Sequence, residues 1–437
     1  MKKKVLWVAV ALMIAIGFGA CSSDDNDEPL SNENNERKDI ALTRAEQTLV
    51  NSNNDFAFNL FRMVNTSSNS AQTEPDMGIL PGGCVINGEW DTKSKIVSPI
   101  SITYALGMLN NGAAGETEAE INKVLGFGET GADGINAFCR KMLTDAPKLD
   151  KLTKVMIANT IYMNKGYELK PDFVSKANTF YDATPETRDF QDGKTLSVIN
   201  KWGSDHTEGM IPEVITADEF NPDAVSYLLN AIYFKGIWAE KFDKGNTQNE
   251  TFKGYDGNKQ VPMMHQEHEF NYTESDDCQA LRLPYGNKAY SMTILLPKEG
   301  KTIYDVLNSL TAENWQQQYQ KMRNAKVDVK LPRFETQSDV DLSKIMSALG
   351  MPRAFDDALA EFPGFCNAPT YIELMKQVAR IKLNEEGTEA AAVTVVEMGN
   401  KAHPVGNAVF HATRPFLYVI SEQSTGAIFF IGQYMGN

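Results

Sequence analysis

Histidine and cysteine are scarce: the 437 residues hold five of each. Cys21, Cys84, Cys139, Cys278 and Cys366 stand far apart and form neither a Cys-x-x-Cys pair nor a metal-ligand spacing. Of His206, His265, His268, His403 and His411, only His265 and His268 are close, and no carboxylate or cysteine nearby in sequence completes a metal pattern with them. No glycine-rich phosphate loop and no nucleophile–base motif is present. These absences argue against an enzyme, a bound metal or a cofactor. Positive charge is also short: 42 Lys and Arg face 57 Asp and Glu, for a net charge of −15. That balance argues against nucleic acid and against heparin-like polyanions as partners. The cysteines after Cys21 are expected to be buried free thiols, with disulfides open to them in an oxidising compartment.

The N-terminus carries the long apolar run that marks a leader. Val5 to Phe18 is fourteen residues, short for a membrane span, and Lys2, Lys3 and Lys4 precede it. The run ends Phe18-Gly19-Ala20-Cys21, which resembles a bacterial lipobox despite the unusual Phe18. The resemblance implies a signal peptide over 1–20 and a lipid on Cys21. Ser22-Ser23-Asp24-Asp25-Asn26-Asp27-Glu28 resembles the acidic export signal of some Gram-negative surface lipoproteins; it also reads as a solvated acidic tether. The expectation is an outer-membrane lipoprotein exposed at the cell surface, with a flexible tether over 21–43. The folded domain is placed at 44–437. Thr66 to Lys93, rich in Ser, Asn and Gly, is read as a loop insertion within it.

Towards the C-terminus, proline is absent from Glu385 through His403. The preceding Val378–Leu383 alternates like a strand, and Phe416–Ile420 and Ile428–Gly432 are apolar runs of buried-strand length. The stretch between them is therefore a long connection, yet it is not composed like a loop. Gly387 offers a hinge. After it, Thr388, Ala390, Ala392, Thr394, Val396 and Met398 form one uncharged alternate set, while Glu389 and Glu397 fall in the other. In a strand these sets face opposite sides of a sheet. A loop written as a latent strand points to a switch, since long structureless loops in compact domains are usually functional or disordered.

This stretch resembles the hinge and reactive-centre loop of the serpins, protease inhibitors that trap their target by inserting the loop into a central sheet. Dispersed motifs extend the resemblance from about residue 50 to the end. They include Ser98-Pro99-Ile100-Ser101, the Ile199-to-Ile211 segment, Asn230-Ala231-Ile232-Tyr233-Phe234-Lys235-Gly236-Ile237-Trp238, Lys330-Leu331-Pro332-Arg333-Phe334 and Arg414-Pro415-Phe416-Leu417. The resemblance implies an α+β serpin fold of three β-sheets and eight to nine helices, with an exposed reactive loop. It assigns Glu385, Gly387, Thr388, Glu389, Ala390, Ala391 and Ala392 to the hinge. Ser98, Ser101, Asn230 and Gln377 would form the shutter under the main sheet, and Trp238 would mark the breach where insertion begins. Ser98 also reads as a helix cap and Trp238 as a core aromatic. One departure is Gln377, which stands where the family often has histidine: it can make the hydrogen bonds but does not titrate near neutrality.

The family's spacing from hinge glycine to scissile bond puts that bond at Lys401–Ala402, with bonds beside Met398 or after Ala402 as alternatives. Lysine before the bond fits an acidic-bottomed, trypsin-type pocket, and lysine-specific cysteine proteases would accept it too. The expected partner is a serine protease held in a covalent 1:1 complex by a monomeric inhibitor. The competing expectation is a non-inhibitory serpin-fold lipoprotein that binds or carries. Such members tend to have charged, bulky or proline residues on the inserting set, which this chain lacks.

Overall fold

The computed structural model describes residues 35–66, 77–80, 83–86, 90–388 and 407–437. Among them are nine α-helices: α1 (Arg44–Val64), α2 (Pro99–Asn110), α3 (Gly115–Leu125), α4 (Gly131–Asp145), α5 (Pro171–Tyr181), α6 (Thr195–His206), α7 (Ile303–Ser309), α8 (Ala312–Lys321) and α9 (Ser343–Leu349). They surround three β-sheets, so the fold is α+β as expected.

Strands β1 (Met77–Leu80) and β2 (Gly83–Ile86) form a two-stranded hairpin. Sequence placed these residues in a bare loop insertion; the runs Gly78-Ile79-Leu80 and Cys84-Val85-Ile86 carry enough β-forming residues to pair locally. A nine-stranded sheet contains β3 (Lys95–Val97), β7 (Gln248–Gly254), β8 (Gly257–Glu274), β9 (Cys278–Tyr285), β10 (Tyr290–Pro297), β11 (Arg323–Pro332), β15 (Asn407–His411), β16 (Phe416–Glu422) and β17 (Ile428–Tyr434). Its order is β15-β11-β8-β9-β10-β16-β17-β3, with β7 paired to β8. The two apolar runs read as buried strands are β16 and β17, and both are buried along their whole length.

The main sheet is mixed. It contains β4 (Thr153–Asn164), β5 (Glu186–Arg188), β6 (Ser226–Ile237), β12 (Phe334–Asp341), β13 (Leu374–Asn384) and the two-residue β14 (Gly387–Thr388), in the order β12-β13-β14-β6-β4-β5. β13 runs antiparallel to β12 and parallel to β6; β6 is antiparallel to β4.

α1 starts at Arg44, in a polar stretch. Thr43 and Glu46 make a reciprocal capping box: Thr43 N donates to Glu46 Oε2 at 2.7 Å, and Glu46 N donates to Thr43 Oγ1 at 3.2 Å. That box satisfies two free N–H groups and lets a polar first turn join the helix. Residues 35–43, assigned to the tether by composition, lie against the body instead. Ile40 is buried in the main core, and its N–H donates to Ser424 Oγ at 2.9 Å.

One hydrophobic core lies between the main sheet, the nine-stranded sheet and helices α1 and α2. A smaller one sits under α6, where Ile199 clusters with Ile211, Val214, Ile215, Tyr227, Leu229 and Val378. α6 thus lies across strands β4, β6 and β13. Cys139, Cys278 and Cys366 are free and buried, and no described helix is long and apolar enough to cross a membrane.

Candidate functional site: a wedge in the main sheet

After β13 the chain turns through Glu385 and Glu386 and comes back as β14. Gly387 and Thr388 are seated between β13 and β6, antiparallel to both: Leu383 and Gly236 flank Thr388, while Asn384 and Ile237 flank Gly387. Below the wedge the same two strands close on each other, pairing Leu374–Arg380 with Tyr227–Tyr233 in parallel. The row Leu383–Thr388–Gly236 continues to Thr153 of β4.

Gly387 is the residue this geometry demands. Its φ is +144°, and a Cβ there would stand 2.0 Å from the Gly236 carbonyl oxygen. No side chain could let two backbones come so close. Gly236 has its own reason: a Cβ there would meet the Tyr285 ring at 2.8 Å. Thr388 is 0% exposed. Its hydroxyl lies 2.8 Å from Tyr285 Oη, which satisfies both buried polar groups. Burial pushes the Tyr285 phenol far above its ordinary range, so it stays protonated.

Trp238 caps this arrangement. Its ring stacks on Tyr285 at 4.4 Å between centroids and 9° between planes. Its Nε1 donates to Asn384 O at 3.0 Å, and its backbone N–H donates to Glu386 O at 2.9 Å. Trp238 is 1% exposed and is therefore a core aromatic, packed where the chain turns into β14. Phe242 N donates to Glu385 O at 3.0 Å.

Glu385 and Glu386 are both held by cations. Glu385 accepts from Thr247 Oγ1 at 2.7 Å and pairs with Arg333. Burial opposes its ionisation, but those bonds more than offset it and hold its carboxyl below the usual range. Glu386 pairs with Lys241 at 2.9 Å and Lys244 at 3.0 Å; its acidity is likewise raised against the effect of burial.

Beneath the closed part of the sheet, the four residues expected to form the shutter come together. Ser98 N donates to Gln377 Oε1 at 2.9 Å, and Gln377 Nε2 donates to Ser98 O at 3.1 Å and Asn230 Oδ1 at 2.5 Å. Asn230 Nδ2 donates to Asn159 Oδ1 at 2.6 Å and to Ser101 Oγ. The Gln377 amide thus donates and accepts at once, bridging helix α2 to the facing strands. Ser98 is the N-cap residue of α2 by position, but its hydroxyl makes no capping bond; it donates to Phe429 O of β17 at 2.7 Å.

Several participants carried no sequence signal of contact with this stretch. Tyr285, Arg333, Lys241 and Lys244 reach the hinge from distant strands and turns. Lys376 on β13 is another: its side chain is 1% exposed and bracketed by Glu219 at 2.6 Å and Asp339 at 2.9 Å. Glu219 follows α6, so this buried cation ties the α6 segment to the strand beside the hinge. His265 does find a carboxylate: Asp328 of β11 lies between His265 (2.7 Å) and His411 of β15 (3.1 Å). Among the described residues, no group of three or more metal-ligating side chains could hold an ion. Cys21, Glu389, Ala390, Ala391, Ala392, Lys401 and Ala402 lie outside the described residues.

A mixed main sheet with a helix across its face, and a loop whose first two residues already wedge two of its strands apart, define the class. The chain belongs to the serpin family: the family described as "Serpin (serine protease inhibitor)" matches residues 85–436. Serpins are mostly inhibitors of proteases rather than catalysts. Among individual proteins, the chain is 30% identical to an uncharacterized serpin-like protein of Thermococcus kodakarensis, over 100% of this chain and 99% of that one. It is 33% identical to serpin B6 of Macaca fascicularis, over 79% and 94% of the two chains. Among solved structures it is similar to thyroxine-binding globulin in complex with thyroxine, with a TM-score of 0.75, 26% identity, and coverage of 89% and 99%.

Proposed function

We propose that this serpin is a suicide inhibitor of trypsin-like serine proteases, cleaved at Lys401–Ala402 and completed by insertion of Thr388 to Met398 into the main sheet. The observation that carries the reading is the seating of Thr388 in the row between Leu383 and Gly236. Continuing that antiparallel register sets Ala390 between Ile381 and Phe234, Ala392 between Ala379 and Ile232, and Thr394 between Gln377 and Asn230. Gln377 and Asn230 are partners in the closed sheet, so the loop would enter without any shift of register. The Thr394 hydroxyl would arrive where the Gln377–Asn230 hydrogen bond must open, and it can both donate and accept there. Met398 would reach Ser226, the first residue of β6. The uncharged alternate set is the one that shares Thr388's buried face.

The chemistry is a race. The protease's serine oxygen attacks the Lys401 carbonyl carbon, the C–N bond to Ala402 breaks, and the Ala402 amine leaves with a proton. The resulting ester would be hydrolysed by water. Insertion of ten further residues, at about 3.4 Å each, drags the esterified protease roughly 34 Å along the sheet before that happens. About ten new ladder hydrogen bonds at ~1 kcal/mol each favour the inserted form on the order of 10 kcal/mol. The uncleaved form is then protected kinetically. A lysine-specific cysteine protease would meet the same trap through a thioester.

The N-terminal features support a lipid on Cys21 and a place at the outer membrane facing outwards, which incorporation of labelled palmitate by wild type but not Cys21→Ser would test. The likeness to thyroxine-binding globulin keeps a carrier role as the opposing outcome. Mixing the chain with trypsin separates the two. A stable covalent band ending at Lys401, with loss of trypsin activity, is expected. Cleavage with full trypsin activity retained, for trypsin and other lysine-specific proteases alike, would favour the carrier.

A further inference from the structure

The segment before α1 is docked at the back of the hinge. Asn35 is 9% exposed. Its Nδ2 donates to Asp150 Oδ1 at 2.7 Å, and its Oδ1 accepts from Lys151 N at 3.0 Å and Asn287 Nδ2 at 3.4 Å. Arg37 Nη1 donates to Lys288 O at 3.3 Å, and Ile40 is held by Ser424. The arm therefore touches the Tyr285–Tyr290 turn of the nine-stranded sheet, the β16–β17 turn, and the start of β4.

Asp150 is the centre of this junction. It is 2% exposed and accepts from Asn35, from Leu152 N at 3.0 Å and from Thr153 Oγ1 at 2.6 Å. Gly286 leaves it room: a Cβ there would stand 2.0 Å from Asp150 Oδ2. Gly286 directly follows Tyr285, whose hydroxyl meets Thr388. Thr153 is in the lateral row of Thr388 itself, one strand beyond Gly236. Asn35 thus fastens the end of β4 to the turn that carries Tyr285.

We infer that the arm around Asn35 is a clasp on loop insertion, with Asn35 as a positioning residue acting through Asp150 on Thr153 and Tyr285. For a strand to enter between β13 and β6, the β6–β4 pair must move away from β13. β4 is on the moving side, and the turns that the arm grips are on the other sheet. The clasp opposes that parting and keeps the uncleaved loop from inserting spontaneously. This rests on the inhibitory reading above and adds the element that times it.

The test uses the full-length chain without protease. Samples held at 37 °C are withdrawn over time and assayed for covalent complex formation with trypsin and, on urea-gradient gels, for uncleaved chain that has become more urea-resistant. Asn35→Ala is expected to shorten the half-life of the active form about tenfold, the change that ~1.4 kcal/mol of barrier carries. Asn35→Asp, which sets a second carboxylate against Asp150, is expected to shorten it further. Arg37→Ala, at an exposed position, gives a smaller shift in the same direction and remains informative if Asn35→Ala fails to fold. Half-lives within twofold of wild type for Asn35→Ala and Arg37→Ala would overturn the inference. So would a fall in melting temperature with no urea-resistant product, which is the mark of a merely structural contact. Failure of the inhibitory reading shows separately, in wild type alone, as cleavage that traps no protease and yields no more urea-resistant form.

Discussion

Tyr285 Oη and Thr388 Oγ1 lie 2.8 Å apart, joining the nine-stranded sheet to β14, the short strand wedged between β13 and β6. The contact is buried on both sides and has the Trp238 ring against it. It ties Gly387 and Thr388 into the main sheet.

Thr388→Arg tests that seat. A guanidinium cannot replace a fully buried hydroxyl without an ion partner, so the wedge should be expelled and insertion blocked. The expected result is conversion from inhibitor to substrate: trypsin cleaves the variant, and the covalent band falls at least tenfold on denaturing gels. Tyr285→Phe keeps the ring stack and removes one hydrogen bond, so only about 1 kcal/mol of hinge seating should be lost. An undiminished covalent band from Thr388→Arg would refute insertion.

Lys401→Ala tests the bond. Trypsin-type pockets select a cation, and removing it should cut the inhibition rate of trypsin by several orders of magnitude while leaving the fold's melting temperature unchanged. Trapping of trypsin at the wild-type rate would move the scissile bond elsewhere.

Gln377→Ala would strand Ser98 N–H and the Asn230 amide beneath the sheet. An orphaned buried group costs about 1–3 kcal/mol, so the melting temperature should drop by a few degrees and spontaneous loss of activity should quicken. Thermal melts and timed trypsin assays would show both.

Acid should loosen the hinge. The Glu385 carboxyl is held below its ordinary pKa, so its contribution is present above the unfolded value of about 4.3 and is lost as pH falls through the folded value. Arg333 is partly exposed, so solvent screening limits the pair to about 1 kcal/mol. Melting temperatures measured between pH 3 and 6 should therefore fall more steeply for wild type than for Glu385→Gln. Equal slopes would remove Glu385 from the acid response.

Parts of this site were legible because they follow from local order. The alternation after Gly387, the strand from Val378, and the apolar runs that became β16 and β17 each rest on neighbouring residues, and the main-sheet motif ending in Trp238 stood out as a continuous match. The capping box that starts α1 also lies within four residues, at Thr43 and Glu46, but it sits in polar sequence where apolar spacing carries no signal. The hairpin at Met77–Ile86 was hidden in the same way by the composition around it.

What the chain's order determined by itself is the pattern of this stretch: a glycine at 387, an uncharged alternate set after it and a lysine at 401, all contiguous. What only the tertiary structure decided is how that stretch is held. Arg333 meets Glu385, Tyr285 meets Thr388, and Asn35 meets Asp150 across 115 residues of chain. Such partners have no mutual periodicity or spacing. They come together because strand register and packing bring their backbones close, and a charge or hydroxyl buried there must be satisfied by whatever the fold places beside it.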